Sequence, residues 1–226
     1  MIYFNDMRKE PLVTGEYYHI YNRGVDKRDI ISDFRDLERF KESIRHFNQT
    51  EGIGSLRQHD QLNRLNRALD SEPDPLVAIV AICINPNHFH LFLKQLVDGG
   101  ISKYLQKTLG GYTYYFNTKN GRSGSLFEGT FKSKLIDNDN YFRKIFGYVN
   151  QNNLVHDIPK SKLHLVFNSA LEYEKELFDL VDPSEGDEML KIFGGKNGLR
   201  EHCKEIISII RKDRGQTSLD EVDNLP

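Results

Sequence analysis

Two histidines separated by a single residue follow a turn in the stretch Asn85-Pro86-Asn87-His88-Phe89-His90-Leu91-Phe92-Leu93. On an extended strand, side chains at i and i+2 share a face, so His88 and His90 project together while Phe89 and Leu91 point the other way. Side-by-side imidazoles are ligands for one divalent cation. A His-x-His pair is common, and its ordinary reading is two solvated or core rings. What distinguishes this pair is the apolar company that fixes both rotamers. Before the turn, Leu76 to Ile84 is a β-branched apolar run that reads as a buried strand, so a hairpin presents the two rings at the edge of a core.

A later segment supplies a third ligand and a nucleophile. From about Asn138 to Asn153 the apolar positions Phe142, Ile145, Phe146 and Val149 recur at helical spacing, with Asp137 or Asp139 as the cap. Tyr148 and Asn152 stand one turn apart, about 40° around the helix, and form a second face. Asn152 then offers an amide oxygen to the cation, and Tyr148 is placed to attack a phosphorus whose oxygen the cation polarises. Imidazole and amide ligation with open positions suits Mg2+ or Mn2+ better than a structural zinc, for which nearby thiolates are lacking. Tyr112, Tyr114 and Tyr115 compete for the nucleophile's role, but an aromatic cluster at helical spacing reads first as core or as a base-stacking surface. His19, His46, His59, His156, His164 and His202 have no partner at ligand spacing and default to structural or solvated roles. Glu128 reads as a solvated carboxylate.

The surrounding elements follow from periodicity. Residues 16–23 read as a strand closed by Gly24, and Ser32 or Asp33 caps a helix with Leu37, Phe40, Ile44 and Phe47 on its buried stripe. Residues 51–75 are polar, contain glycines and prolines, and read as an exposed insertion with a short helix over 62–69. Strands over 76–84 and 88–95 come next. A helix then carries Ile101, Leu105, Leu109, Tyr112 and Phe116, with Gly110-Gly111 in its middle marking a close approach. After a turn at 120–124, residues 125–136 read as a strand. The order β-α-β-β-α-β predicts an α+β fold of ferredoxin-like type, an antiparallel sheet with helices on one face, the catalytic helix following the last strand. Residues 1–165 are then the catalytic domain. Residues 166–226 form an acidic, mainly helical extension with Leu199, Cys203, Ile206 and Ile210 as its stripe, read as a regulatory or interaction module.

With 226 residues the chain needs no disulfide staples, and Cys83 and Cys203 both sit on apolar stripes as core residues. No window approaches the roughly 18 apolar residues of a membrane span. The formal net charge of −2 argues against a nucleic-acid partner, but it conceals a gradient. Residues 101–150 hold eight Lys or Arg against three acids, and residues 171–226 hold eight against fourteen. Lys103, Lys107, Arg122, Lys132, Lys134 and Lys144, together with Arg23, are therefore candidate phosphate contacts, weighed against a solvated helix face.

Four blocks in order carry a resemblance: Tyr18-His19-Ile20-Tyr21-Asn22-Arg23-Gly24; Asn85 to His90; Gly100-Ile101-Ser102-Lys103-Tyr104-Leu105-Gln106; and Arg122 to Gly129. Over roughly residues 15–155 the chain resembles the REP-associated tyrosine transposases, a branch of the HUH single-strand DNA transposases. That resemblance implies nicking and rejoining of single-stranded DNA through a 5′-phosphotyrosine and a free 3′-hydroxyl. His88 and His90 would be the metal-binding histidines, Tyr148 the nucleophile and Asn152 the polar ligand. It further implies hairpin-forming palindromic repeats as substrate, a cytoplasmic, nucleoid-associated setting in a prokaryote, and an oligomeric state open between monomer and homodimer. Two positions depart from the pattern: Asn153 replaces a proline, which removes a helix stop, and Thr130 replaces a basic residue. These departures and the acidic tail keep a second reading in play, a domesticated protein that binds repeat hairpins without cutting. A third, a metal-dependent phosphoesterase, lacks a carboxylate base at suitable spacing.

Overall fold

The computed structural model describes residues 11–51, 74–156 and 158–214, so most of the expected insertion, including its short helix, lies outside the described residues. The elements run β1 (Tyr17–Arg23), a 3-10 turn (Val25–Lys27), α1 (Phe34–His46), β2 (Val77–Ile84), β3 (His88–Gln95), α2 (Gly100–Lys119), β4 (Lys132–Leu135), α3 (Asp139–Asn150) and α4 (Asn152–Val155). After a 3-10 segment, β5 (Phe167–Asn168), α5 (Ala170–Lys175), α6 (Pro183–Ile192) and α7 (Gly195–Arg214) complete the chain. The expected β-α-β-β-α-β order is present, and the sheet is an antiparallel five-stranded one in the order β4-β1-β3-β2-β5.

Alternation along each strand divides the molecule into two cores. On one face Tyr18, Ile20, Phe89, Leu91 and Leu93 meet α1 and α2, the two crossover helices, which lie together as the ferredoxin-like pattern requires. Asp33 caps α1 by accepting from the Asp36 backbone N–H. A Cβ at Gly111 would stand 3.0 Å from the Phe47 ring, which accounts for a glycine inside α2, whereas Gly110 faces open space. On the other face Val80, Ala81 and Phe92 meet α3 and the helices of the C-terminal segment. A register shift between Ile79 and Ala81 lets β2 feed both layers: Val77 and Ile79 face one core, Ile82 and Ile84 face it again after the irregularity, and Val80 and Ala81 face the other.

Three boundaries differ from the sequence reading. The strand expected over 125–136 is reduced to Lys132–Leu135 plus an isolated bridge between Gly24 and Phe127, because Gly124 and Gly129 adopt positive φ and interrupt the ladder. The cap of α3 is Asn138, whose side chain accepts from the Tyr141 N–H, rather than either flanking aspartate. The same helix ends at Asn150 rather than Asn153: Gln151 leaves helical geometry, and the short α4 restarts at Asn152. No proline is needed for that stop. Asn150 is drawn into a bond from Ser169 Oγ at 2.7 Å, and Asn153 accepts from Asn168 at 3.1 Å, so the start of the C-terminal segment fixes the break.

That segment is built into the sheet and its second core. β5 pairs with β2, and α7 lies against α3 so closely that a Cβ on Gly147 would stand 2.9 Å from Ile206 Cγ1. Cys83 and Cys203 are buried as expected, and burial pushes each thiol up to about 12. Among the described residues, no helix is long and apolar enough to cross a membrane.

Two outcomes follow from this packing. Replacing Gly147 by Val should lower unfolding free energy by about 1–3 kcal/mol in urea titrations, through overpacking against Ile206; an unchanged midpoint would contradict the close approach. A chromogenic disulfide reagent at pH 8 should find no reactive thiol in the native protein and two after denaturation.

Candidate active site

The face of the sheet that meets α3 carries the chemistry. Pairing of β1 with β3 sets Tyr21 opposite His90 and Arg23 opposite His88, and pairing of β1 with β4 sets Lys132 opposite Tyr21 and Lys134 opposite His19. Directly paired residues project from the same face, so imidazoles, a phenol and three cations are gathered there by register alone. The rings of Tyr21, His19 and His90 stack, with centroids 5.0 Å apart for His19 and Tyr21, 5.1 Å for His19 and His90, and 5.6 Å for Tyr21 and His90.

Tyr148 closes this group from α3. Its ring stands edge-on to His90 at 5.3 Å and to His19 at 5.8 Å, and it is only 6% exposed. The sequence reading separates Tyr148 from the buried stripe of its helix. It is buried all the same, because the face it occupies lies over the histidines rather than over solvent. Tyr112, Tyr114 and Tyr115 belong to α2 on the opposite side of the sheet. Tyr112 donates to Ile30 O at 2.5 Å, Tyr115 to Asp36 at 3.2 Å, and Tyr114 is exposed.

Hydrogen bonds hold both histidine rings in place. His88 Nδ1 lies 2.7 Å from Asn87 Oδ1, and in the neutral tautomer with the proton on Nδ1 the lone pair is on Nε2. Asn152 Oδ1 stands 3.0 Å from that Nε2, so in this tautomer two lone pairs face one another. The repulsion is offset by one amide group: Asn85 Nδ2 donates to Asn152 Oδ1 at 2.7 Å and to His88 Nε2 at 2.9 Å. Asn85 and Asn152 are both fully buried, and Asn152 Nδ2 has no hydrogen-bond partner among the described residues. On the other side His90 Nδ1 is 2.9 Å from His19 Nε2. With Nδ1 as the donor, His19 accepts and the remaining nitrogen of His90 is left as a ligand, the usual arrangement behind a metal-bound imidazole. Burial, with the nearby Lys134 charge acting in the same direction, holds His19 down at about 3. Burial, then the neighbouring His19, His88 and His156, pulls His90 well below its ordinary range. Neutral imidazoles are the form that binds a cation.

The donor set fits a divalent cation. Adjacent ligands on a dication with bonds of about 2.1 Å lie about 3 Å apart, and His88 Nε2 and Asn152 Oδ1 meet that spacing. A third imidazole, His156, joins them: ligand atoms of His88, His90 and His156 all lie within 4.8 Å of one another. The sequence reading leaves His156 without a partner, yet it stands four residues after Asn152, and that helical spacing was the available signal. His19, Tyr21 and Asn85 are likewise functional neighbours that sequence reasoning leaves out. His19 and Tyr21 share the alternation of β1, and Asn85 lies in the motif itself.

Of the candidate phosphate contacts, four lie around this site. Lys132 and Lys134 sit over the rings of Tyr21 and Tyr141, Lys144 is one turn before Tyr148, and Arg23 is paired with Glu128 beside His88. Lys103 and Lys107 instead donate to the backbone of Gln49, Thr50 and Glu51 behind α1, and Arg122 braces a turn through Asn117 and Ser125. The structure does not bring these three to the histidines.

No model of a known protein family matches the chain, and no curated protein matches it in sequence. Among solved structures, it is similar to a REP-associated tyrosine transposase bound to a REP hairpin, with a TM-score of 0.48 and 14% identity over 78% of this chain and 90% of that one. That likeness assigns no residue and no activity.

The amide fork gives a direct test of the site's construction. Asn85→Ala should cost about 1–3 kcal/mol of stability in chelator-treated protein, because Asn152 Oδ1 loses its buried donor. A denaturation curve superimposable on that of the parent protein would show that Asn85 is not holding the ligands.

Proposed function

We propose that the chain is a divalent-cation-dependent enzyme that cuts and rejoins single-stranded DNA, with Tyr148 as nucleophile. The observation that carries this reading is the convergence of a tyrosine ring on two imidazoles from the neighbouring sheet, at 5.3 Å and 5.8 Å, beside a buried amide aligned with a third imidazole. His88, His90 and Asn152 would hold Mg2+ or Mn2+, which when bound neutralises charge on a non-bridging phosphate oxygen. Lys132, Lys134 and Lys144 supply phosphate attraction along the approach to the site. Tyr148 Oη gives up its proton and forms a bond to phosphorus, the bond from phosphorus to the 3′ oxygen breaks, and that oxygen takes up a proton and leaves as a 3′-hydroxyl. Rejoining is the same displacement in reverse, with a 3′-hydroxyl attacking the phosphotyrosine. Hairpin-forming repeats are the substrate that the four sequence blocks imply.

Tyr148 is 6% exposed, so the packing of α3 on the sheet covers most of the residue. The same burial favours the alternative of a hairpin-binding protein that does not cut. The phosphoesterase reading gains nothing: the metal-competent cluster consists of histidines, and Glu128 is committed to Arg23.

Incubation with hairpin oligonucleotides bearing single-stranded flanks and Mn2+ should yield a covalent adduct whose DNA-linked peptide contains Tyr148. Tyr148→Phe should reduce adduct formation at least about a thousandfold, the scale of losing a nucleophile. Tyr21→Phe should preserve it. Loss of the adduct in the Tyr21 variant with retention in the Tyr148 variant would move the nucleophile to β1. Hairpin binding by the parent protein with no adduct under any divalent cation would establish the non-cutting alternative.

A further inference from the structure

We infer that His156 is a ligand in the same centre, turning it into a three-histidine site that selects an imidazole-binding first-row dication, from Mn2+ to Zn2+, over Mg2+. The inference rests on the proposed metal role of His88 and His90 and adds to it both a residue and a cation class. The His156 ring stands 4.4 Å from that of His88 and 6.4 Å from that of His90, and the three rings converge rather than stack as one column, with His88 at 64° to His156 and 86° to His90. Of three ligands on one dication at most one pair is opposed, about 4.2 Å apart, and adjacent pairs lie about 3 Å apart. Atoms within 4.8 Å of one another reach that spacing by moving inward on the cation.

The position of His156 is built by the fold. It closes α4 one turn after Asn152, Val155 beside it is buried in the second core, and Arg211 of α7 donates twice to the carbonyl of Leu154, at 2.7 and 3.2 Å. A ring held by a short helix, a buried neighbour and a guanidinium clamp is an ordered donor.

Three neutral nitrogens change what the site prefers. Mg2+ takes oxygen ligands and parts with water reluctantly, whereas imidazole suits the later dications of the first transition row. The centre also has a gate. His88 Nε2 has one lone pair, now directed at Asn85 Nδ2, so coordination through that nitrogen requires the Asn85 amide to give up its bond to His88. The amide hydrogens stand where the positive charge of a cation would be.

The test uses the full chain, freed of any polyhistidine tag and stripped with chelator, and titrates Co2+, Mn2+, Zn2+ and Mg2+ separately. Calorimetry reports affinity, and visible absorption of Co2+ reports nitrogen ligation. One equivalent of Co2+ should bind with a ligand-field band, with Mg2+ at least about a hundredfold weaker. His156→Ala should weaken Co2+ and Mn2+ about tenfold or more and alter the cobalt band, with Mg2+ unchanged, while His164→Ala, which removes an exposed histidine, should behave as the parent. Equal affinity for Mg2+ and Mn2+, an unaltered His156→Ala titration, or absence of bound cobalt would each overturn the inference. Because no DNA is involved, a normal cobalt titration with no Tyr148 adduct defeats the nuclease reading alone, and an adduct with an unaltered His156→Ala titration defeats this one alone.

Discussion

Everything at the candidate site depends on the register of β3 between β1 and β2. With Tyr21 opposite His90, Arg23 opposite His88 and Cys83 opposite His90, the central strand presents its histidines and Phe92 to α3, and Phe89, Leu91 and Leu93 to α1 and α2. A slip by one residue would reverse this, sending Phe89 and Leu91 against the polar cluster and both imidazoles into hydrocarbon. The apolar alternation on the opposite face therefore enforces the polar geometry on this one. Phe89 is fully buried and packs against Phe40 and Phe127, so displacing it to admit a histidine would forfeit a large aromatic burial.

Apolar runs, strand alternation and helical spacing were enough to read β1, β2, β3, α1 and α2 in the chain, and with them the shared face of His88 and His90. Local signals failed where the decisive contact is remote. Only Gly124, just before residues 125–136, and Gly129, within them, mark the strand as four residues long, and a glycine announces a possible break without saying that one occurs. The end of α3 is set by Ser169 and Asn168, some twenty residues onward, which periodicity does not report. Cationic residues show the same limit. Lys103 and Lys132 are equivalent in composition, yet one ties down the backbone after α1 and the other stands on the edge strand above Tyr21.

The polar cluster is expensive to bury, and its bonding pattern indicates how the cost is met. Each neutral imidazole has one donor and one acceptor nitrogen, and at least one nitrogen of His88, His90 and His19 is matched to a named neighbour. Burial that depresses His19 and His90 also excludes their protonated forms, so the site remains ready for a cation without first losing a proton to solvent. With the His88 proton on Nδ1, the apposition of His88 Nε2 with Asn152 Oδ1 is the exception to good pairing. It persists only because Asn85 donates to both, which makes Asn85 a scaffold for the ligands in the absence of a cation.

The C-terminal segment is then understood through α3 and α4 rather than as an appendage. Its residues Ser169 and Asn168 fix the interruption at Gln151, Ile206 presses on Gly147 next to the candidate nucleophile, and Arg211 holds the carbonyl before Val155. Each contact acts on the backbone that carries Tyr148, Asn152 or His156. A helix bearing the candidate nucleophile could be positioned by the sheet alone, but the turn after it could not, since Asn152 and His156 meet His88, at the start of β3, from a separate one-turn helix. A one-turn helix has no independent stability in water. It is maintained by the α7 clamp and by the burial of Val155, so the acidic segment holds the turn that brings Asn152 and His156 against His88.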